Sequence, residues 1–203
     1  MNPADHYHIT YTAYKIPSYQ NREHKPEAFL IHHTAGALPN KTASLNILKN
    51  GRIGVPAPVV QWYIDRDGGI YQITEGYANH AGKGSSTVLD RIRSAKPPEK
   101  PGVDDTNGNP YFVGLEIENN GTGEPYTPAV MFAAAALVAA YCAYNKWDPA
   151  VKVLGHKEWT TRKPDTSFDM NKFRKDVEAF RDALQKQAAP EPHQQTDEYK
   201  LVL

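Results

Sequence analysis

The residues that could do chemistry gather most densely in 153–165, VLGHKEWTTRKPD, where an apolar run ends at Gly155-His156 and a polar turn precedes Lys163 and Asp165. A histidine and an aspartate joined by such a turn can reach one divalent ion. The lysine between them is too basic to ligate but can face an oxyanion. Two ligands do not make a metal site, and an isolated pair is better read as a strand-capping histidine beside solvated loop charges.

Further donors stand at the ends of other apolar runs. Phe29-Leu30-Ile31 continues into His32-His33-Thr34, the pattern of a buried strand with histidines at its carboxyl end. Alternation puts Phe29, Ile31 and His33 on one face and Leu30, His32 and Thr34 on the other, so only one histidine of the pair can face a site. If the Phe29 face is the core, His32 is free to ligate and His33 is packed. Residues 111–119, YFVGLEIEN, alternate likewise, with Val113, Leu115 and Ile117 opposite Gly114, Glu116 and Glu118. Alternation does not separate the two glutamates, and alone it reads both as solvated. His80, in NHAGKG, is by itself a loop-surface histidine, and the glycines there lack phosphate-loop spacing.

Taken together, His32, Glu116, His156 and Asp165 form the inventory of a catalytic zinc site: ligands, an open position for water and a spare carboxylate to take the water's proton. No H-E-x-x-H helix and no G-x-S-x-G elbow is present. The single cysteine, Cys142, lies in an alanine-rich apolar stretch and reads as an inert buried thiol, which excludes a disulfide framework and a thiolate cluster.

The elements that must position these residues follow from local pattern. Residues 1–28 read as an irregular leader whose tyrosines pack on the domain edge and whose histidines, His6, His8 and His24, lie at the surface. Thr42 can cap a helix running to Asn50, with Gly51 as its stop. Residues 59–65 and 69–73, a pair of β-rich runs that includes Trp62, flank Arg66-Asp67-Gly68 and predict an antiparallel hairpin. Residues 87–110 read as a long surface loop that can begin with a short helix and can form the lip of a groove. Thr127-Pro128 starts a helix whose apolar run from Val130 to Tyr144 is expected to be buried and too short to span a bilayer. Asp148-Pro149 ends it before a strand at 151–154. Asp169 can cap a last amphipathic helix with Phe173, Val177, Phe180 and Leu184 on one stripe. The chain therefore divides into a leader (1–28), one catalytic domain (29–187) and a linker or tail (188–203) with a short apolar end.

With 203 residues there is room for a single core, and 23 basic residues balance 23 acidic ones, which disfavours nucleic acid as a partner. The amino-terminal residues lack the charged and apolar runs of a Sec signal, so synthesis in the cytoplasm without membrane insertion is the expectation.

The segments FLIHHTAG (29–36), VVQWYIDRDGGIYQ (59–72), NHAGKG (79–84), VGLEIE (113–118) and GHKEWTTRKPD (155–165), in that order, resemble the zinc-dependent N-acetylmuramoyl-L-alanine amidases of the amidase-2 group, related to peptidoglycan recognition proteins. The resemblance covers roughly 28–185 and implies an α/β fold with a single mixed β-sheet flanked by helices on both faces. It implies that His32, His156 and Asp165 hold Zn2+, that Glu116 is the general base and that Lys163 steadies the oxyanion. It further implies that His80 and Trp62 touch substrate, although Asn79 stands where the family has an aromatic residue. Relatives with a catalytic tyrosine on the second strand have Val60 or Gln61 near that place here, so the likeness is to the glutamate-dependent branch. The implied activity is cleavage of the amide between N-acetylmuramic acid and L-alanine of bacterial peptidoglycan; the expected setting is a monomeric phage or prophage endolysin that reaches the wall after release, and a bacterial autolysin or cytosolic recycling amidase could share the domain. The alternatives are a non-catalytic peptidoglycan-binding module and a zinc endopeptidase of the stem peptide.

Overall fold

The computed structural model describes residues 1–36 and 41–188. The tail expected at 188–203 lies outside the described residues except for its first position. In chain order the elements are α1 (Pro3–His6), β1 (Thr12–Ala13), β2 (Ala28–His33), α2 (Lys41–Asn50), β3 (Gly51–Arg52), β4 (Val55–Pro56), β5 (Trp62–Ile64), β6 (Ile70–Gln72), β7 (Lys83–Ser85), α3 (Ser86–Arg93), β8 (Asp104–Asn107), β9 (Phe112–Ile117), α4 (Pro128–Asn145), α5 (Pro149–Lys152), β10 (Val153–Gly155) and α6 (Met170–Ala188).

The main sheet runs β1-β6-β5-β9-β2-β10. Only β5 and β6 pair antiparallel, as the Asp-Gly turn predicts; the other neighbours are parallel. The alternation read from the sequence holds in three dimensions. Phe29, Ile31, Val113, Leu115 and Ile117 enter one core with α4 and α6, whereas Leu30 and Phe112 enter a second with α3. Leu45 and Leu48 of α2 pack on Val60 and Tyr63 beside that second core. Helices thus cover both faces, an α/β arrangement around one mixed sheet.

The Thr127 hydroxyl caps α4 by accepting from the Val130 amide, and the Asp169 carboxylate caps α6 by accepting from the Asn171 amide. At 18 residues, α4 is longer than the sequence pattern suggested and reaches spanning length, but most of its residues from Ala133 to Ala143 are buried in the core.

Four expectations need correction. The leader is not irregular throughout: α1 packs beneath α4, and β1 extends the sheet because Tyr11, edge-on to Trp62, and Tyr14, stacked on Tyr71, bring it there. His24 is half-buried, its Nε2 2.9 Å from the Phe112 carbonyl oxygen. The segment 87–110 opens with the short helix expected there, α3, on which Val88, Leu89 and Ile92 form a buried stripe, but the rest is more than a loop, since β8 pairs with β7. The strand expected at 151–154 is a helical turn, α5, capped by Asp148, with only Val153–Gly155 in the sheet.

Candidate metal centre and active site

Register decides which side chains meet. Gly155 of β10 lies opposite Ile31 of β2, so His156 and His32, each one residue further on, leave adjacent strand ends on the same side. Glu116 of β9 is paired directly with His32. Beyond β10 the chain makes a 3-10 turn, His156–Glu158, that is held from beneath: the Glu158 carboxylate accepts from the Gly155 amide at 2.9 Å and from both terminal nitrogens of Arg174 on α6, at 2.9 and 3.0 Å. The excursion to Asp165 is closed by Lys157, whose amide donates to the Asp165 carbonyl and whose Nζ donates to the Thr166 carbonyl, both at 2.6 Å.

These constraints bring His32, His156 and Asp165 together, all three buried. His32 Nδ1 is 2.9 Å from His156 Nδ1 and 3.3 Å from Asp165 Oδ2, and His156 Nδ1 is 3.0 Å from the same oxygen. Zinc bound tetrahedrally at about 2.0–2.1 Å sets its ligand atoms about 3.3 Å apart, so the triangle has the dimensions such an ion needs. The far nitrogen of each imidazole has its own partner: His156 Nε2 lies 3.3 Å from the Ala81 carbonyl oxygen and His32 Nε2 lies 3.0 Å from His80 Nδ1. Both Nδ1 atoms thereby face Asp165 Oδ2 and each other across the triangle.

The electrostatics suit an electron-rich pocket. Burial, and then the nearby His156, push His32 down to about 4, so it is neutral near pH 7. Burial pushes His80 well down too, reinforced by His32. Burial alone would raise Asp165, but the neighbouring His156 and His32 outweigh that and hold the carboxyl far below its usual range. Glu116 goes the other way, up to about 8, through burial and then the Asp165 charge, against the pull of Lys163 and Arg52. Its Oε2 is sealed from solvent without a hydrogen-bond partner.

All of these groups, with Lys163, line one cleft of about 600 Å³. The cleft continues past His80 and His156 toward Lys83 and Arg162.

Residues 22–167 match the family profile described as N-acetylmuramoyl-L-alanine amidase, amidase-2. The chain belongs to that family. No curated protein sequence matches significantly. Among solved structures, the amidase is similar to the endolysin N-acetylmuramoyl-L-alanine amidase LysCS from Clostridium intestinale URNW, with 19% identity, a TM-score of 0.52 and coverage of 84% of this chain and 96% of that one. It is similar to the Staphylococcus aureus hydrolase AmiA, with 16% identity, a TM-score of 0.57 and coverage of 90% and 86%. A selenomethionine derivative of AmpD gives 23% identity, a TM-score of 0.56 and coverage of 83% and 95%. These likenesses concern the fold, and the family makes the protein a peptidoglycan amidase.

One expected site residue of the amidase is misplaced. Trp62 does not face the cleft: it is fully buried on the α4 side of the sheet, its indole N–H donating to Tyr141 Oη at 2.9 Å. Alternation explains this, because Trp62 shares a face with Ile64, while the cleft lies on the other. His33 also points away from the metal triangle, its Nδ1 3.3 Å from Tyr126 Oη and its ring where a Gly121 side chain would stand.

Sequence reasoning missed the supports. Asn109 Oδ1 accepts from the Ala81 and Gly82 amides, at 2.8 and 3.1 Å, and so fixes the loop whose carbonyl holds His156. A loop side chain that satisfies distant amides leaves no periodic trace to read. Glu118, expected in solvent, is buried and accepts from Arg66 Nη1 at 2.7 Å and from Ser44 Oγ at 3.0 Å. Arg66 also donates to the Gly36 carbonyl, tying the cleft wall after β2 to the hairpin.

Proposed function

We propose that this amidase is a zinc enzyme that hydrolyses the amide joining the lactyl group of N-acetylmuramic acid to L-alanine of the stem peptide. The observation that carries the reading is the convergence of His32, His156 and Asp165 in a cleft that also holds a partnerless Glu116 oxygen and Lys163. These three side chains would hold Zn2+. Bound there, zinc would polarise the scissile carbonyl and make water a stronger acid.

The remaining chemistry belongs to the chain. Glu116 accepts the proton of the attacking water and delivers it to the nitrogen of the departing L-alanine, so the amide bond breaks to a carboxyl and an amine. A carboxyl raised toward neutrality suits both halves of that transfer, since it must take a proton and give it back. Lys163, exposed at the rim of the cleft, offsets negative charge developing on the carbonyl oxygen. His32, His156 and Asp165 are tied to strand ends and a closed turn, so they need little rearrangement when metal arrives.

The biological setting we propose is a monomeric endolysin of phage or prophage origin, the kind of protein named in the description of LysCS, acting on bacterial peptidoglycan after release from the host cytoplasm. Digestion of purified cell walls tests the reaction. New L-alanine amino termini support the amidase, other amino termini indicate an endopeptidase, and walls left uncut indicate a binding module.

A further inference from the structure

His80 is the buried histidine at the cleft that the proposed reaction leaves unused. It is 9% exposed, its Nε2 lies 3.3 Å from the Phe112 carbonyl oxygen and its Nδ1 lies 3.0 Å from His32 Nε2. A carbonyl oxygen only accepts, so the Phe112 contact places the single proton of a neutral His80 on Nε2 and leaves Nδ1 as a lone pair. That lone pair can only receive the His32 Nε2–H. With its proton on Nε2, a neutral His32 carries its lone pair on Nδ1, the atom that faces His156 and Asp165; Asp165 Oδ2, an acceptor 3.3 Å from that Nδ1, draws the proton the other way, and the shorter contact to His80, at 3.0 Å, opposes it.

We propose that His80 is a positioning residue for the metal, fixing His32 in the Nε2–H tautomer so that its Nδ1 is presented to zinc before the ion arrives. The inference rests on the zinc reading above. The fold makes room for this relay. A Cβ on Gly114 would stand 2.6 Å from His80 Nδ1 and 2.7 Å from its Cγ, so the glycine of β9 is what lets the ring lie against the sheet. The same loop serves the other ligand, since the Ala81 carbonyl accepts from His156 Nε2 and from the Trp159 indole at 3.2 Å. Asn79 holds the loop from its outer side by donating to the Pro56 carbonyl at 3.1 Å. Residues 79–81 thus act on both imidazoles from behind, and their role differs from the substrate contact implied for His80 by family resemblance.

The test measures zinc affinity by competition with a chromophoric chelator for the wild type, His80→Ala, His80→Asn and Gly114→Ala, with nitrogen NMR of the metal-free imidazoles. Loss of an outer partner of a metal-bound histidine typically weakens metal binding about 10–100-fold, and that loss is expected for His80→Ala. His80→Asn should recover most of it, because the asparagine oxygen can accept near the position of Nδ1. Gly114→Ala should resemble His80→Ala although the ring is still present. In metal-free wild type, His32 should carry its proton on Nε2. A proton on Nδ1 overturns the inference, and that spectrum decides the matter even if His80→Ala fails to fold. Wild-type zinc affinity in His80→Ala, with a raised KM for muropeptide, overturns it in favour of substrate contact. A wild-type protein that binds no zinc overturns the metal reading and this inference with it.

Discussion

Glu116 has two measurable consequences at the scale of single residues. Glu116→Gln should keep zinc and lose turnover by about 10²–10⁴-fold, the usual worth of a positioned acid-base group; near-normal turnover with metal bound would remove Glu116 from the mechanism. The second concerns the metal-free protein. The folded-state value of Glu116, about 8, lies above the ordinary 4.5, so the protonated form is the one the fold favours. The stability this confers is complete below about pH 4.5 and is lost as pH rises through about 8. With a chelator present, Glu116→Gln should therefore melt higher than wild type above pH 8, and the difference should close toward pH 4.5. His32→Ala should abolish stoichiometric zinc, and retention of the metal would shift attention to His33. At this scale the histidine that meets His156 and Asp165 was legible because strand alternation separates His32 from His33. Tautomers were not, since they depend on carbonyls of Phe112 and Ala81 that come from elsewhere in the chain.

Elements hold the site through a few non-local contacts, and those are where substitution should be felt. Gly84 of β7 and Gly108 after β8 both pack against the fully buried Trp159, and a Cβ on Gly84 would fall 2.1 Å from its ring. Gly84→Ala should cost about 1–3 kcal/mol or more in denaturant unfolding, as overpacking of a close-packed interior does. Arg174→Ala removes the clamp on Glu158 and leaves a partly buried carboxylate under the His156 turn, so both the melting temperature and zinc affinity should fall. Trp62 shows how the sequence could mislead at this level. An aromatic residue in a family-like hairpin suggested a substrate platform, yet β5 is too short and too deeply buried for either of its faces to reach solvent. Strands and the long helices were visible because their periodicity is local. In 87–110 the short opening helix was foreseen, but β8 was not, because it depends on pairing with a distant strand.

On the scale of the whole molecule, zinc should act as a stabilising ligand. Chelation should lower the melting temperature and abolish wall digestion, and added zinc should restore both, with the shift growing with the logarithm of free zinc. A melting temperature indifferent to zinc would mean that the triangle does not bind it. The order of strands carries a further consequence. Because β10 joins the sheet beside β2, residues near the start and near the end of the domain become immediate neighbours. During synthesis, a nascent chain that has emerged only as far as α4 possesses His32 and Glu116 but neither of the other ligands. On the zinc reading proposed above, metal capture has to follow the folding of the last third of the domain. The strand that closes the sheet also completes the triangle of His32, His156 and Asp165.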